Sequence, residues 1–214
     1  MSVDRDEAQR IGERLNRIVA ETGQEALAPV VAGQFGMYCG LLLRWNARTN
    51  LTAVRDEEGI LRRHMAESIA CARALPEGIG SLLDLGSGAG FPGLPIALCR
   101  REMAVVLAES QNKKAAFLRE VVRTLGISVR VHGGRAEALA ERFNCVTLRA
   151  VDRMEEAVRA AAGLVAGGGW LAAMTTAGAQ DEVRRAAGVG FTWEEPTGIA
   201  AGTDRVLLMG RRAG

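Results

Sequence analysis

The sequence predicts an α/β protein in which a mostly parallel sheet is wound by helices on both faces, with a helical extension before it and an antiparallel hairpin at its end. Three observations carry this expectation. Residues 4 to 76 place apolar side chains at helical spacing and contain no alternating β-branched run. Beyond Gly80, short apolar runs alternate with helix-compatible stretches, the pattern of a parallel sheet covered on both sides. Near the end, GFTWEEP and DRVLLMGRR are strand-like and separated only by TGIAAGT, too short for a crossover helix, so they should pair antiparallel.

In DEAQRIGERLNRIVAET, Ile11, Leu15, Ile18 and Val19 recur at spacings of three and four and share one helical face. A second helix is expected over about 29 to 46, and a third over about 56 to 75, ending before Pro76. The strands are then read as SLLDLG, MAVVLAES, ISVRVHG, NCVTLRA and GWLAAMTT. Helices follow the first strand, occupy NKKAAFLREVVRTLG, and cover about 135 to 142 and 153 to 165. From Ala160 to Gln180 there is no charge, a length close to a membrane helix, but Gly167, Gly168 and Gly169 interrupt it and Thr175 and Thr176 dilute it. A helix end, a glycine turn and a buried strand account for it better. A chain of 214 residues fits one α/β domain, 77–214, behind a helical extension, 1–76.

Hydrophobic residues make up 48% and charged residues 24%, a globular balance that excludes disorder. The net charge of +2 excludes a global basic field, so any nucleic-acid contact must come from a local patch. Cys39, Cys71, Cys99 and Cys145 stand singly in apolar surroundings without metal or redox spacing, and are read as reduced core residues. No metal site is expected. The opening MSVDRDEAQR is charged and unlike a signal peptide, which gives a cytoplasmic expectation with no membrane partner.

The chemistry concentrates in DLGSGAGFPG, residues 84 to 93. In an open α/β sheet ligands bind at the carboxyl ends of the strands, beside the point where strand order reverses, and this stretch follows the first strand. Gly88 to Gly93 matches the dinucleotide fingerprint literally, but that match begins three residues beyond the strand and loads its helix with Pro92 and Pro95. The better register is Asp84, Gly86, Gly88 and Gly90, starting at the strand end. That is the S-adenosylmethionine pattern, in which no pyrophosphate needs a helix N-terminus. Glu109 ends the second strand about 20 residues on, where a carboxylate can accept both ribose hydroxyls. The layout is that of a Rossmann-like class I S-adenosylmethionine-dependent methyltransferase with a seven-stranded sheet.

The chain also resembles the small-subunit ribosomal RNA guanine-N7 methyltransferases, the RsmG or GidB family. Trp45-Asn46-x-x-x-Asn50-Leu51-Thr52-Ala53 is similar to its WNxxxNLTA motif, and Arg63-His64-x-x-Glu67-Ser68 to its RHxxDS motif. LLDLGSGAGFPGLPIAL, LAESQNKKAAFLREV, Arg135-Ala136-Glu137 and Arg149-Ala150 follow in order, and Asp204-Arg205 more weakly. The resemblance implies that Gly86 and Phe91 contact the cofactor, Glu109 holds its ribose, Ala136 and Glu137 flank its adenine, and Arg149 sits beside the transferred methyl. It places Asn46, Asn50, Arg63 and His64 at the same mouth, for RNA or for positioning the target guanine; Arg205, in the weaker part of the likeness, and Lys113 and Lys114, on a helix face that reads mostly as solvated, are further candidates for RNA contact. It implies a monomer acting on 16S ribosomal RNA, the small subunit or its precursor, at a guanine of the 530 loop near the decoding centre, and not on DNA. Glu67, Asn144 and Leu148 depart from the family's usual aspartate, acid and serine, and Met174-Thr175-Thr176 stands where it carries a lysine.

Guanine N7 offers a lone pair and no proton, so this transfer needs no general base, and none is assigned. Arg149, with its planar fork, is expected to hold a carboxylate or phosphate. His132 is read as structural. Trp45 suits either the core or a stacked base, and Lys113, Lys114, Arg119 and Arg123 share one helix. Two rival readings are a small-molecule methyltransferase, suggested by the near-neutral charge, and a noncatalytic ribosome-assembly factor that keeps the pocket.

Overall fold

The computed structural model describes residues 4–149 and 153–214. Helix α1 (Arg5–Glu21) opens on Asp4, whose carboxylate accepts the Asp6 N–H at 3.2 Å, with Asp6 and Glu7 suited to the positive end of the helix. Its buried stripe is Ile11, Leu15, Ile18 and Val19, the face expected from spacing. Helix α2 (Pro29–Thr49) starts with proline, where a missing N–H costs nothing, and stops at Asn50 in the left-handed conformation, φ 49°. The two helices pack so closely that a Cβ on Gly36 would lie 1.8 Å from the Ala8 carbonyl oxygen.

The third expected helix is three pieces: α3 (Glu57–Ile60), a π-helical segment Leu61–Ala66, and α4 (Glu67–Ala74). After it come β1 (Ser81–Leu85), α5 (Gly93–Cys99), β2 (Ala104–Ala108), α6 (Asn112–Leu125), β3 (Val129–His132), β4 (Phe143–Arg149), α7 (Met154–Leu164) and β5 (Val165–Thr176). The chain ends in α8 (Gln180–Ala187), β6 (Phe191–Trp193), β7 (Thr197–Gly198) and β8 (Arg205–Arg212). The sheet order is β3-β2-β1-β4-β5-β8-β6, with β7 also paired to β8. Strands β1 to β5 run parallel, and β8 pairs antiparallel with β5, β6 and β7. The order reverses about β1, which pairs β2 on one side and β4 on the other, so a crevice opens at their carboxyl ends.

Successive residues of β1 feed opposite faces. Leu82 joins a core with Phe35, Tyr38, Leu42 and Phe117 from α2 and α6, whereas Leu83 joins one with Val146, Val158, Leu171 and Val183 from β4, α7, β5 and α8. The N-terminal helices therefore form part of one covering layer of the sheet. Among the described residues, no helix is long and apolar enough to cross a membrane.

Several details correct the sequence reading. The sheet has eight strands rather than seven, because two residues of the expected linker, Thr197 and Gly198, pair with β8. Helix α8 was not foreseen, although its ends carry Asp181 and Glu182, then Arg184 and Arg185, matching the helix dipole. The helix expected over 135 to 142 is a single 3-10 turn, Ala136–Ala138. Gly167 to Gly169 lie inside β5, not in a separate turn; Gly168 has φ 70°, and the register against β4 shifts between Phe143 and Cys145. The four cysteines are free, and burial pushes the thiols of Cys39 and Cys71 up to about 12 and that of Cys99 up to about 11. Cys39, Cys71 and Cys145 are interior residues and Cys99 is half-buried, and the raised values disfavour the nucleophilic thiolate.

Candidate active site

Three successive glycines of the loop after β1 need a left-handed backbone: Gly86, Gly88 and Gly90 have φ of 68°, 57° and 99°. At Gly90 this is compounded by crowding, since a Cβ would meet Leu94 Cδ1 at 2.4 Å and the Tyr38 hydroxyl at 2.9 Å. The loop is braced from below by Asp84, which is fully buried and accepts the Gly93 N–H at 3.1 Å and the Thr147 hydroxyl at 3.0 Å. Burial pushes its carboxyl up to about 6, against these hydrogen bonds. Asp84 thus orders the loop and does not line the crevice. From the N-terminal layer, the Tyr38 hydroxyl donates to the Ala89 carbonyl, and its ring stacks on Phe91 at 5.3 Å.

Glu109 closes the loop from the neighbouring strand. Its Oε2 accepts the Gly88 N–H at 2.9 Å and its Oε1 accepts the Gln111 N–H at 2.7 Å. Each oxygen keeps a lone pair for a ligand hydroxyl. The crevice has two lobes. One, of about 350 Å³, is lined by Thr52, His64, Gly88, Phe91, Glu109, Lys114 and Arg149 among others. The other, of about 220 Å³, is lined by Ala136, Glu137, Arg135, Arg153 and Glu156 among others. Gly86 and Ser110 belong to both, so the lobes meet over the first glycine of the loop.

The wall facing the glycine loop comes from the N-terminal layer. His64 stacks on Phe91 with ring centroids 4.9 Å apart, and its Nε2 lies 2.7 Å from the Thr52 hydroxyl. Its Nδ1 is buried without a hydrogen-bond partner. Burial first, and then the Arg149 charge, lower the imidazole to about 3, so it is neutral at physiological pH. Arg149 donates to Glu67 at 2.8 Å, to Ser68 Oγ at 3.5 Å and to the Arg63 carbonyl. Arg205 also reaches Glu67, at 3.3 Å. Burial pushes the Glu67 carboxyl up and the Arg149 guanidinium down, but a group as basic as guanidinium keeps its proton and the pair is ionic.

Of the residues expected from sequence, Gly86, Gly88, Phe91, Glu109, Ala136, Glu137, Arg149, His64 and Lys114 converge on the two lobes. Gly90 shapes the loop without lining it. Asn46 is buried rather than turned to solvent: it is 2% exposed, donates to the Val54 carbonyl and accepts the Thr52 N–H, both at 2.9 Å. Asn50 caps α2 and accepts from Arg55. The Arg63 and Lys113 side chains are exposed outside the crevice lining, and Ala150 lies outside the described residues. Trp45 packs on Phe117 at 5.6 Å and donates to Glu120 at 3.2 Å, away from the crevice. His132 lies 3.1 Å from the Arg135 carbonyl, steadying the turn that carries Ala136. Sequence reasoning missed Thr52, Ser110 and Gln111. The last two directly follow Glu109, so their place at a strand's carboxyl end was the available signal.

The chemistry of this lining fits a nucleoside with a charged tail: open glycine backbone, a buried carboxylate at the second strand and an apolar turn in the further lobe. With the reversed strand order and the antiparallel β8, it defines a class I S-adenosylmethionine-dependent methyltransferase. Solved structures agree on the fold: a predicted O-methyltransferase from Agrobacterium tumefaciens (TM-score 0.59, 21% identity, 70% of this chain and 82% of that one) and a methyltransferase from Pyrococcus furiosus (TM-score 0.59, 14% identity, 82% and 95%).

The family model for rRNA small subunit methyltransferase G, GidB, matches residues 32–192, and the chain belongs to that family. Relatives called ribosomal RNA small subunit methyltransferase G include those of Neisseria meningitidis (37% identical, over 81% of this chain and 84% of that protein) and Stenotrophomonas maltophilia (42%, over 77% and 76%). The one from Roseiflexus is 47% identical over 55% of this chain and 53% of its own length.

Proposed function

We propose that the protein transfers a methyl group from S-adenosylmethionine to N7 of one guanine in 16S ribosomal RNA, in the 530 loop. Family membership supports ribosomal RNA of the small subunit as substrate class. The observation that carries the N7 reading is that, among the described residues, the lobe shared by Phe91 and Arg149 is lined by no free base, the carboxylates of Glu137 and Glu156 lying in the other lobe. Glu109 is engaged by two backbone N–H groups, and His64 at about 3 is too weakly basic to take a proton at neutral pH. Methylation of an amine, amide or ribose hydroxyl must dispose of a proton; N7 has none to lose.

The cofactor supplies an electrophilic methyl group on a sulfonium. The remaining work is positioning, for which near-attack geometry contributes up to about 7–11 kcal/mol. In this reading Glu109 holds the ribose hydroxyls, Gly86 and Gly88 admit the cofactor close to the backbone, and Ala136 and Glu137 flank the adenine. Phe91 and His64 form an uncharged wall on the side of the incoming base. Residues 1–76 act as the recognition extension, with Arg63, Lys113 and Lys114 at hand for phosphates, and the protein works as a monomer.

The test is labelled methyl transfer to small subunits and to naked 16S RNA lacking guanine-N7 methylation, mapped by chain cleavage at 7-methylguanine. One cleaved site in the 530 loop is expected. Label at another atom or on a small molecule, or none on either RNA while cofactor binds, would refute the assignment.

A further inference from the structure

The arginine at the reacting end of the crevice brings its own counter-ion from far away in the chain. Arg149 ends β4 and Arg205 begins β8, yet both bind the same Glu67 oxygen, at 2.8 and 3.3 Å, across sequence separations of 82 and 138 residues. The Glu67 and Arg149 side chains are 4% and 7% exposed, and Arg205 is 32% exposed. Such a buried pair is a poor source of stability, because the cost of desolvating both ions offsets much of their attraction, and apolar residues of the same volume do as well. Its place suggests another use. Arg149 lines the lobe that also contains Gly88, Phe91 and Glu109, so an unneutralised guanidinium there would repel a sulfonium ligand and the cation that N7 methylation creates.

We propose that Glu67 is a charge-positioning residue for methyl transfer: by offsetting the charge of Arg149 at the crevice wall it lets the site hold the cationic, methyl-bearing cofactor and accommodate a cationic methylated base. One carboxylate shared by two guanidinium groups leaves one positive charge on the cluster, but the shorter contact is to the buried Arg149 and the longer one to the more exposed Arg205, where water screens the excess, so Arg149 serves as a fixed donor whose charge is offset at the reacting atoms. Glu67 touches neither cofactor nor base and acts through Arg149. The inference rests on the crevice being the cofactor site, as in the proposed function.

S-adenosylmethionine and S-adenosylhomocysteine differ by a methyl group and one positive charge, so the ratio of their affinities reads the charge at the site and is insensitive to general loosening. Calorimetric titration of the full chain with each should show Glu67→Gln weakening S-adenosylmethionine about tenfold more than S-adenosylhomocysteine, a change of about 1.4 kcal/mol. Glu67→Asp, which keeps the charge, should hold the ratio within about twofold of the parent protein. Arg149→Gln should move the ratio the opposite way, toward the methylated form, and its sign decides the matter if Glu67→Gln does not fold. An unchanged ratio in the folded variants would overturn the inference and leave the cluster a structural tie. Failure of the parent protein to bind either compound would overturn the crevice reading itself.

Discussion

The two walls of the crevice are built from different materials. The β1–β2 side is mostly backbone: left-handed glycines, N–H groups turned onto Glu109, and Asp84 hidden underneath. The opposite side is mostly side chains lent by the N-terminal layer, with His64 on Phe91, Thr52 beside His64, and Glu67 gripping Arg149. A wall of backbone is specified by local sequence, and at Gly90 it leaves no room for a Cβ. A wall of side chains depends on distant partners and can be altered piece by piece. The π-helical segment belongs to the second wall and carries both Arg63 and His64, in keeping with the association of such widened turns with functional sites.

The sharpest way to break this contrast is Gly90→Ala. The backbone at φ 99° and the contacts with Leu94 and Tyr38 leave no room for a methyl, so a loss of about 2–4 kcal/mol in chemical unfolding and loss of cofactor binding are expected. Near-parental binding by this variant would mean that the loop does not set the cofactor wall.

Asn46→Ala addresses the other wall. It deletes two buried hydrogen bonds that hold the segment bearing Thr52, at a cost of about 2 kcal/mol, and should leave S-adenosylmethionine affinity within about twofold of the parent. A selective loss of RNA affinity with unchanged stability would instead restore Asn46 as an RNA contact.

His64 gives the smallest effect and a defined pH window. Its folded value of about 3 lies below the ordinary 6.5, so the unfolded chain binds the proton more readily. The stability this provides is present above about pH 6.5 and is lost as pH falls toward 3. Between pH 7.5 and 5.5 the parent should therefore lose about 1 kcal/mol more than His64→Phe in denaturant unfolding. Parallel pH profiles would show that His64 is not held neutral.

The same contrast explains what could be read in advance. The glycine register, the acid at the second strand end and the alternation of strands and helices are local patterns, and each survived the structure because backbone geometry ties it to neighbouring residues. Asn46 and Arg63 belong to quoted motifs, but motif membership does not reveal whether a side chain points to solvent or braces a loop, and Asn46 braces a loop. Glu67 could be seen only as a departure from an expected aspartate. Its role as shared partner of Arg149 and Arg205 arises from tertiary packing across α4, β4 and β8, which no spacing encodes. The eighth strand and α8 were missed for a humbler reason: a two-residue strand and an eight-residue helix between polar loops leave weak periodic signals.

The most direct test of the crevice as the cofactor site is calorimetric binding of S-adenosylmethionine to the parent protein and to Glu109→Gln. The amide keeps the size of the side chain but turns an NH2 group toward either the Gly88 or the Gln111 N–H and loses one acceptor for the ribose. The account predicts affinity weakened about 10- to 100-fold in a variant that still folds. Equal binding by the two proteins would contradict it and move the cofactor away from the end of β2.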